Sequence, residues 1–248
     1  LAGTYFEGWT FVKAFSDLKI LVVGVGGLGC PSSWALAEAG VGTLGLMDFD
    51  RVELSNLHRQ ILYGAKDVGR PKVEAACEFL KDRFPKTHVI PIAGKMTAES
   101  LQELLPRYDL VIDGLDRLEK KFFLNDWCVK LKKPFVHAGV VRLEGQVLPV
   151  MPGVTACLRC LLPKIPPPFA MPTCQEAGVL GAFSQGIGYL AAREARRLAE
   201  GKGPMRLFKV DAAARSFRSV IPTRRADCLA CGVGQVAALS EEACAAEG

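Results

Sequence analysis

Histidine and tryptophan are scarce in this 248-residue chain, with three of each. The three histidines, His58, His88 and His137, form no Ser-His-Asp pattern, so hydrolysis by a serine triad finds no support. No apolar run is long enough for a bilayer. The uncharged stretch 177–192 falls short of the roughly 20 residues a span needs. It also carries four glycines, Ser184 and Gln185, and reads as a buried helix. There is no Walker A lysine motif, no helix-turn-helix or RNA-binding signature and no internal repeat. From Leu1 onward no signal-peptide pattern is visible. Neither sign of charge dominates, since 31 Lys and Arg face 26 Asp and Glu for a net +5. The clusters at 120–121, 130–133 and 193–197 therefore read first as solvated helix faces, then as surfaces for anionic substrates or acidic partners. Nucleic acid ranks below both.

Half the residues are apolar, enough for a substantial core and too many for a disordered chain. The length suits one domain with an elaborated second half: 1–140 built around a glycine turn, and 141–248 carrying the cysteine pairs. Nine cysteines is an odd number, and two pairs have CxxC spacing, which fits a cytoplasmic metal site better than a secreted disulfide framework.

Strand and helix signals alternate through the first half. The pattern predicts strands at 19–24, 43–49, 89–92, 109–113 and "PFVHAG", with helices at 28–39, 70–84, 101–105 and up to about residue 131. This predicts an α/β fold, Rossmann-like, with a mostly parallel sheet covered by helices on both faces. After Val140 the pattern changes. "VVRLEGQVLPV" alternates like one strand with an exposed face, and 163–172 is too proline-rich for a helix interior or central strand. A long helix over 177–199 and antiparallel strands at "MRLFKV" and "SFRSVI" follow.

In "ILVVGVGGLG" Gly24, Gly26, Gly27 and Gly29 stand where a strand turns into a helix. Such a turn lets backbone approach a phosphate at a helix N-terminus. Asp48 ends the next strand, where a carboxylate can bind ribose hydroxyls. These residues point to a nucleotide without choosing between a dinucleotide and ATP. The loop "DFDRVELSNLHRQ" adds Asn56, Arg59 and Gln60, polar groups that hydride transfer has little use for. Lys72 opens a helix whose macrodipole disfavours a cation there, so a nearby anion is expected to draw it in. Asp113 and Asp116 in "DLVIDGLDR" end another strand. A carboxylate beside a triphosphate needs a divalent cation between them, which makes Asp116 a magnesium candidate, with helix N-capping as its other reading.

Cys157 with Cys160 and Cys228 with Cys231 supply four thiolates, enough for a closed tetrahedral zinc that holds the fold together. Cys174, in "PTCQEAG", follows the proline-rich stretch. Cys30, Cys77 and Cys128 read as small core residues, and Cys244 as incidental. His137 and His88 read as structural and His58 as peripheral.

"GVGGLG", "DFDRVELSNLHRQ", "GRPKVEAA", "DGLD", "CLRC", "TCQEAG" and "CLAC" occur in this order over nearly the whole chain. The set resembles the MoeB/ThiF adenylyltransferases that activate ubiquitin-like sulfur carriers for molybdopterin or thiazole (thiamine) biosynthesis. The resemblance implies that Gly26, Gly27 and Gly29 line an ATP site with Asp48 on the ribose. Ser55, Asn56 and Arg59 would meet the phosphates, Lys72 would assist, and Asp116 with Arg117 would lie at the metal and adenine contacts. It implies Mg2+ and Zn2+ as cofactors and a small ubiquitin-fold partner ending in Gly-Gly. A sulfur-donor protein and a homodimer are implied as well. It also implies that Cys174 can form a thioester or persulfide with the activated carrier.

Two departures stand out. The family has asparagine where this chain has Arg117, and relatives carry an arginine-containing segment upstream of "LAGTYFEGWTFVKAF", which holds no arginine. Rival readings are a related ATP-using enzyme acting on tRNA or a small molecule, and a silent nucleotide- and zinc-binding scaffold. An NAD oxidoreductase would explain the glycines but not Arg59, Lys72 or the four cysteines.

Overall fold

Five short runs rich in branched residues dictate the centre of the molecule. In the computed structural model, which describes residues 13–164, 178–203 and 205–232, they form β1 (Lys19–Val23), β2 (Thr43–Asp48), β3 (His88–Ala93), β4 (Leu110–Asp113) and β5 (Phe135–Val141). Ile20 and Val22 turn to one face of the sheet, Leu21 and Val23 to the other, and all four are buried. With both faces covered, such strands read as continuous apolar runs.

Three further strands, β6 (Glu144–Val150), β7 (Leu207–Asp211) and β8 (Ser216–Val220), complete an eight-stranded sheet of order β3-β2-β1-β4-β5-β6-β7-β8. The first five pair in parallel. The last three run antiparallel, and β5 takes part in both pairings.

On one face lie α1 (Gly29–Glu38), α2 (Lys72–Arg83) and α6 (Gly181–Ala199), which contribute Leu36, Leu80 and Ile187 to one apolar cluster. On the other lie α3 (Ala98–Leu104) and α4 (Leu118–Lys130), with Leu101, Leu124 and Trp127, and the single-turn α5 (Leu158–Leu161). Each such apolar side chain, fully buried, contributes about 1.5–3 kcal/mol. Helices α6 and α1 meet through small residues. A Cβ on Gly188 would stand 2.4 Å from Pro31 Cγ, and Ser32 Oγ donates to the Gly188 carbonyl at 2.9 Å. Among the described residues no helix is long and apolar enough to cross a membrane.

The segment expected to be one half-exposed strand differs. "VVRLEGQVLPV" is a hairpin in which Val141 pairs with Glu144 across a two-residue turn. Arg142 takes a left-handed φ of 53° there, without the glycine or asparagine that usually announces such a turn. Beyond the turn β6 is mostly buried, because α6 lies over it. A Cβ on Gly145 would stand 2.4 Å from Ile187 Cδ1.

A nucleotide-sized cavity and a cysteine cluster

At the end of β1 the chain must reverse into α1 within a few residues. Gly24 does so at φ 86°, where its missing side chain lets the chain touch the turn after β4. A Cβ on Gly29 would lie 1.9 Å from the Gly24 carbonyl oxygen, and one on Gly114 would lie 2.5 Å from it. Gly29 is therefore a packing glycine beneath the turn and is not among the cavity residues. Gly26 and Gly27 do face the cavity, a space of about 570 Å³. It opens at the carboxyl ends of β1, β2 and β4, where strand order reverses and α/β sheets bind ligands.

Asp48, at the end of β2, lines this cavity. Its Oδ2 accepts from Val25 N at 2.7 Å and its Oδ1 from Asp50 N at 2.9 Å, which ties the carboxylate to the glycine turn. Burial pushes its carboxyl above the usual range against the pull of the Lys72 ammonium. Lys72 opens α2 and is buried. The anion that draws it in is Asp50, whose Oδ2 lies 2.8 Å from Lys72 Nζ. The Asp50 carbonyl also accepts from Lys72 N at 2.9 Å. Both residues line the cavity.

A tight turn over Leu54–Asn56 brings the next group inward. Asn56 is buried on the cavity wall, with its Oδ1 accepting from Glu53 N at 3.3 Å. Arg59 Nη1 donates to the Ser55 carbonyl at 2.9 Å, and its side chain lies against Gly27. Ser55 itself is exposed and outside the cavity lining, its Oγ donating to Glu53. From α6, Gln185 Nε2 holds the Arg59 carbonyl at 2.7 Å, and Ser184 reaches the wall opposite Gly27.

After β4, Asp116 and Arg117 also line the cavity. The N-cap of α4 is Arg117 and no side chain caps it, so Asp116 is not used as a cap. Asp113 points into the protein. Its Oδ1 takes Lys121 Nζ at 3.1 Å and Leu115 N at 3.1 Å, and its Oδ2 takes His137 Nδ1 at 2.7 Å. Burial pushes the Asp113 carboxyl up, but Lys121 and His137 outweigh it and hold the group below the usual carboxylate range. Burial keeps His137 below the usual histidine range. At the rim, Lys95 and Lys120 lie over the exposed Phe49 ring at 5.7 and 5.1 Å.

The sulfurs of Cys157, Cys160, Cys228 and Cys231 are buried and lie within 4.8 Å of one another. Contacts of 4.0, 3.7 and 3.3 Å join Cys157 to Cys160, Cys157 to Cys228 and Cys160 to Cys231. Sulfurs at the corners of a zinc tetrahedron with about 2.3 Å bonds stand about 3.8 Å apart, so the donor set and its size fit that ion. Hydrogen bonding from Cys157 draws the Cys231 thiol down to about 4, while the same bond pushes Cys157 up and burial pushes Cys160 to about 11. Arg224 grips the Cys231 carbonyl, and Arg225 N lies 3.5 Å from Cys160 Sγ. None of the four lines the cavity.

The cavity thus gathers Gly26, Gly27, Asp48, Asn56, Arg59, Lys72, Asp116 and Arg117 from the residues singled out in the sequence. Cys174 lies outside the described residues. The cavity also takes in Gln60, which the sequence grouped with Asn56 and Arg59, whereas no role was expected for Asp50 or for the Asp113–Lys121–His137 cluster. The cluster joins residues 24 apart that carry no shared motif.

The family model described as the ThiF family matches residues 5–230. A sulfur carrier protein adenylyltransferase of Thermus thermophilus is 42% identical over 222 residues, covering 86% of this chain and 82% of its own. The adenylyltransferase and sulfurtransferase MOCS3 of Culex quinquefasciatus is 41% identical over 217 residues, which is 86% of this chain. The chain spans about half the length of that MOCS3 relative, 50%. Among solved structures, E. coli MccB crystallised with ATP shares the fold at a TM-score of 0.74 and 22% identity, over 88% of this chain and 68% of its own. The chain belongs to the ThiF family.

Proposed function

We propose that the protein is an ATP-dependent adenylyltransferase acting on the C-terminal Gly-Gly carboxylate of a small ubiquitin-fold sulfur carrier. The observation that carries this reading is the convergence of a guanidinium, Arg59, and a buried ammonium, Lys72, on one cavity with the open Gly26–Gly27 backbone and Asp48. Asp48 takes the ribose, the glycine turn and Asn56 take the phosphate chain, and Arg59 and Lys72 offset its charge. Ser55 serves through its carbonyl, which aims the Arg59 guanidinium. Arg117 adds a cation to the cavity lining.

A carrier carboxylate oxygen attacks the α-phosphorus. A new P–O bond forms as the bond to the bridging oxygen of the β-phosphate breaks. Pyrophosphate leaves with the electron pair, and the carrier keeps AMP as a mixed anhydride. Because charge grows on the departing oxygens, cations fixed beside them lower the barrier; removing one donor of this kind typically costs about 2.7–4 kcal/mol. Asp116, uncapping and exposed on the wall, suits a hard cation, and magnesium bound there would add charge neutralisation.

The four cysteines would hold zinc as a closed structural site with no part in the chemistry. Cys174 would act after adenylation: its thiolate would displace AMP from the acyl-adenylate to give a thioester, or, where the sulfur-donor protein has first passed a sulfane sulfur from its own persulfide to Cys174, the resulting persulfide would displace AMP instead. A homodimer in the cytoplasm, a sulfur-donor protein and a role in molybdopterin, thiamine or related biosynthesis complete the proposal. The relative named as a sulfur carrier protein adenylyltransferase supports the substrate class.

ATP–pyrophosphate exchange tests it. Exchange should appear only with a carrier bearing a free Gly-Gly terminus, and Cys174→Ala should leave it unchanged while removing any covalent carrier adduct. Exchange without carrier, or exchange stimulated by tRNA, would overturn the substrate. ATP binding without turnover would leave the scaffold reading in its place.

A further inference from the structure

Asn125 and Asp126 stand side by side in the middle of α4, buried along with Phe122, Leu124, Trp127 and Cys128. Asn125 is 0% exposed and Asp126 4%. A carboxamide and a carboxylate held away from water destabilise a packed helix unless each finds a partner. Both find one on the same turn outside the helix, the "CLRC" stretch that carries Cys157 and Cys160. Asn125 Oδ1 accepts from Leu158 N at 2.9 Å. Asp126 takes Arg159 in a two-pronged contact, Nε to Oδ1 at 2.7 Å and Nη2 to Oδ2 at 2.6 Å. Asn125 Nδ2 donates to Asp126 Oδ1 at 2.9 Å, which ties the two acceptors together.

These contacts do for the turn what its own residues cannot. Cys157 is the N-cap of α5, and its side chain caps no amide. A side-chain oxygen ordinarily fills that role, and a sulfur that faces the other three cysteines is not free for it. Asn125 supplies the acceptor from the neighbouring helix. Arg159 stands between the two cysteines with its guanidinium drawn to α4, 5.0 Å over the Phe122 ring, while both sulfurs stay in the cluster. The Cys228–Cys231 turn is tied differently. Gly232 N closes on the Cys228 carbonyl at 2.8 Å, and Arg224 bridges the carbonyls of Cys231 and Gly153. We propose, resting on the metal reading above, that Asn125 and Asp126 are positioning residues of the four-cysteine site: they hold Cys157 and Cys160 in ligating geometry before the metal arrives. One half of the site is then built by the fold, and the ion has only the other half to order. Ligands already in place lose little freedom on binding, so the metal is held more tightly.

Metal affinity separates this role from plain support of the fold. With the full chain loaded with zinc, graded additions of a chelator read the dissociation constant of the ion. Asn125→Ala and Asp126→Asn should each raise it about tenfold to a hundredfold, the loss usual for a group that orients a metal ligand. The gap in melting temperature between zinc-loaded and metal-stripped protein should shrink in both variants, because stabilisation by a ligand follows its affinity. Residues that only support the fold would lower both melting temperatures alike and leave the dissociation constant where it was, and that result would overturn the inference. Arg159→Lys covers the case in which those variants do not fold. It keeps the charge and loses the planar fork, so it should weaken zinc in the same direction by a smaller factor; unchanged affinity there would overturn the inference too. If the parent chain holds neither zinc nor cobalt, whose visible bands report tetrahedral thiolate binding, the metal reading falls and takes this assignment with it. If the parent holds the ion and the variants hold it equally well, only the assignment of Asn125 and Asp126 falls.

Discussion

The cavity at the carboxyl edge of β1, β2 and β4 and the cysteine cluster beyond β6 contrast in what completes them. In the cavity, backbone comes from the turns after β1, β2 and β4, and charged side chains stand on those turns, on the end of β2 and on the first residue of α2. Lys72 leans on Asp50 and Arg59 on the Ser55 carbonyl, contacts that leave the cavity open. In the cluster the four sulfurs face one another, buried and within 4.8 Å. One arrangement presents groups to a visitor; the other turns its groups inward. The first is expected to govern turnover with little effect on stability, the second the reverse.

Three experiments sharpen or break that contrast. The largest effect is expected in the cavity. Arg59→Ala should lower carrier-dependent pyrophosphate exchange by about 10²–10³, with circular dichroism showing an unchanged fold. A loss of exchange that tracks a loss of structure would erase the division of labour. Next comes the cluster. Cys157→Ser, or removal of metal by a chelator, should destabilise by about 4–5 kcal/mol, lowering the melting temperature by about 10–20 °C. At low temperature the surviving folded protein should still bind ATP, and calorimetry with titrated nucleotide can show it.

The smallest effect concerns His137, beneath the cavity wall. Burial lowers its proton affinity in the folded state, so below about pH 6.5 the unfolded chain binds the extra proton. Its contribution is therefore present above that pH and lost as the pH falls toward the folded value. Between pH 7.5 and 5.5 the parent should lose stability with a slope from this group no steeper than one proton, about 1.4 kcal/mol per pH unit. His137→Asn should flatten that part of the profile in thermal melts. Identical profiles would mean that the Asp113–Lys121–His137 cluster does not titrate there.

Much of this architecture could be read from the chain because the signals are local. The glycine turn, the alternation of strand and helix and the two CxxC pairs each lie within a few residues. What stayed hidden depends on contacts between distant segments. The glycines illustrate it: Gly26 and Gly29 belong to one motif, yet Gly26 faces open space while Gly29 packs on the Gly24 carbonyl. Lys72 called for an anion, but only the fold could supply Asp50 from 22 residues away. The hairpin at Arg142 escaped because its left-handed residue is one that turns seldom use. Asp113 ends a strand beside Asp116, and nothing in "DGLD" tells which carboxylate turns inward.

The cysteine cluster joins positions 71 apart in sequence. A staple of that kind fixes the two ends of the chain it encloses, so the turns within that chain can grow at little expense, since doubling a flexible loop costs only about 0.6 kcal/mol. Because that stretch also carries α6, β7 and β8, the place where this scaffold could accept an inserted peptide, such as an affinity tag or a reporter, is the turn 212–215 between β7 and β8, at the far edge of the sheet from the cavity.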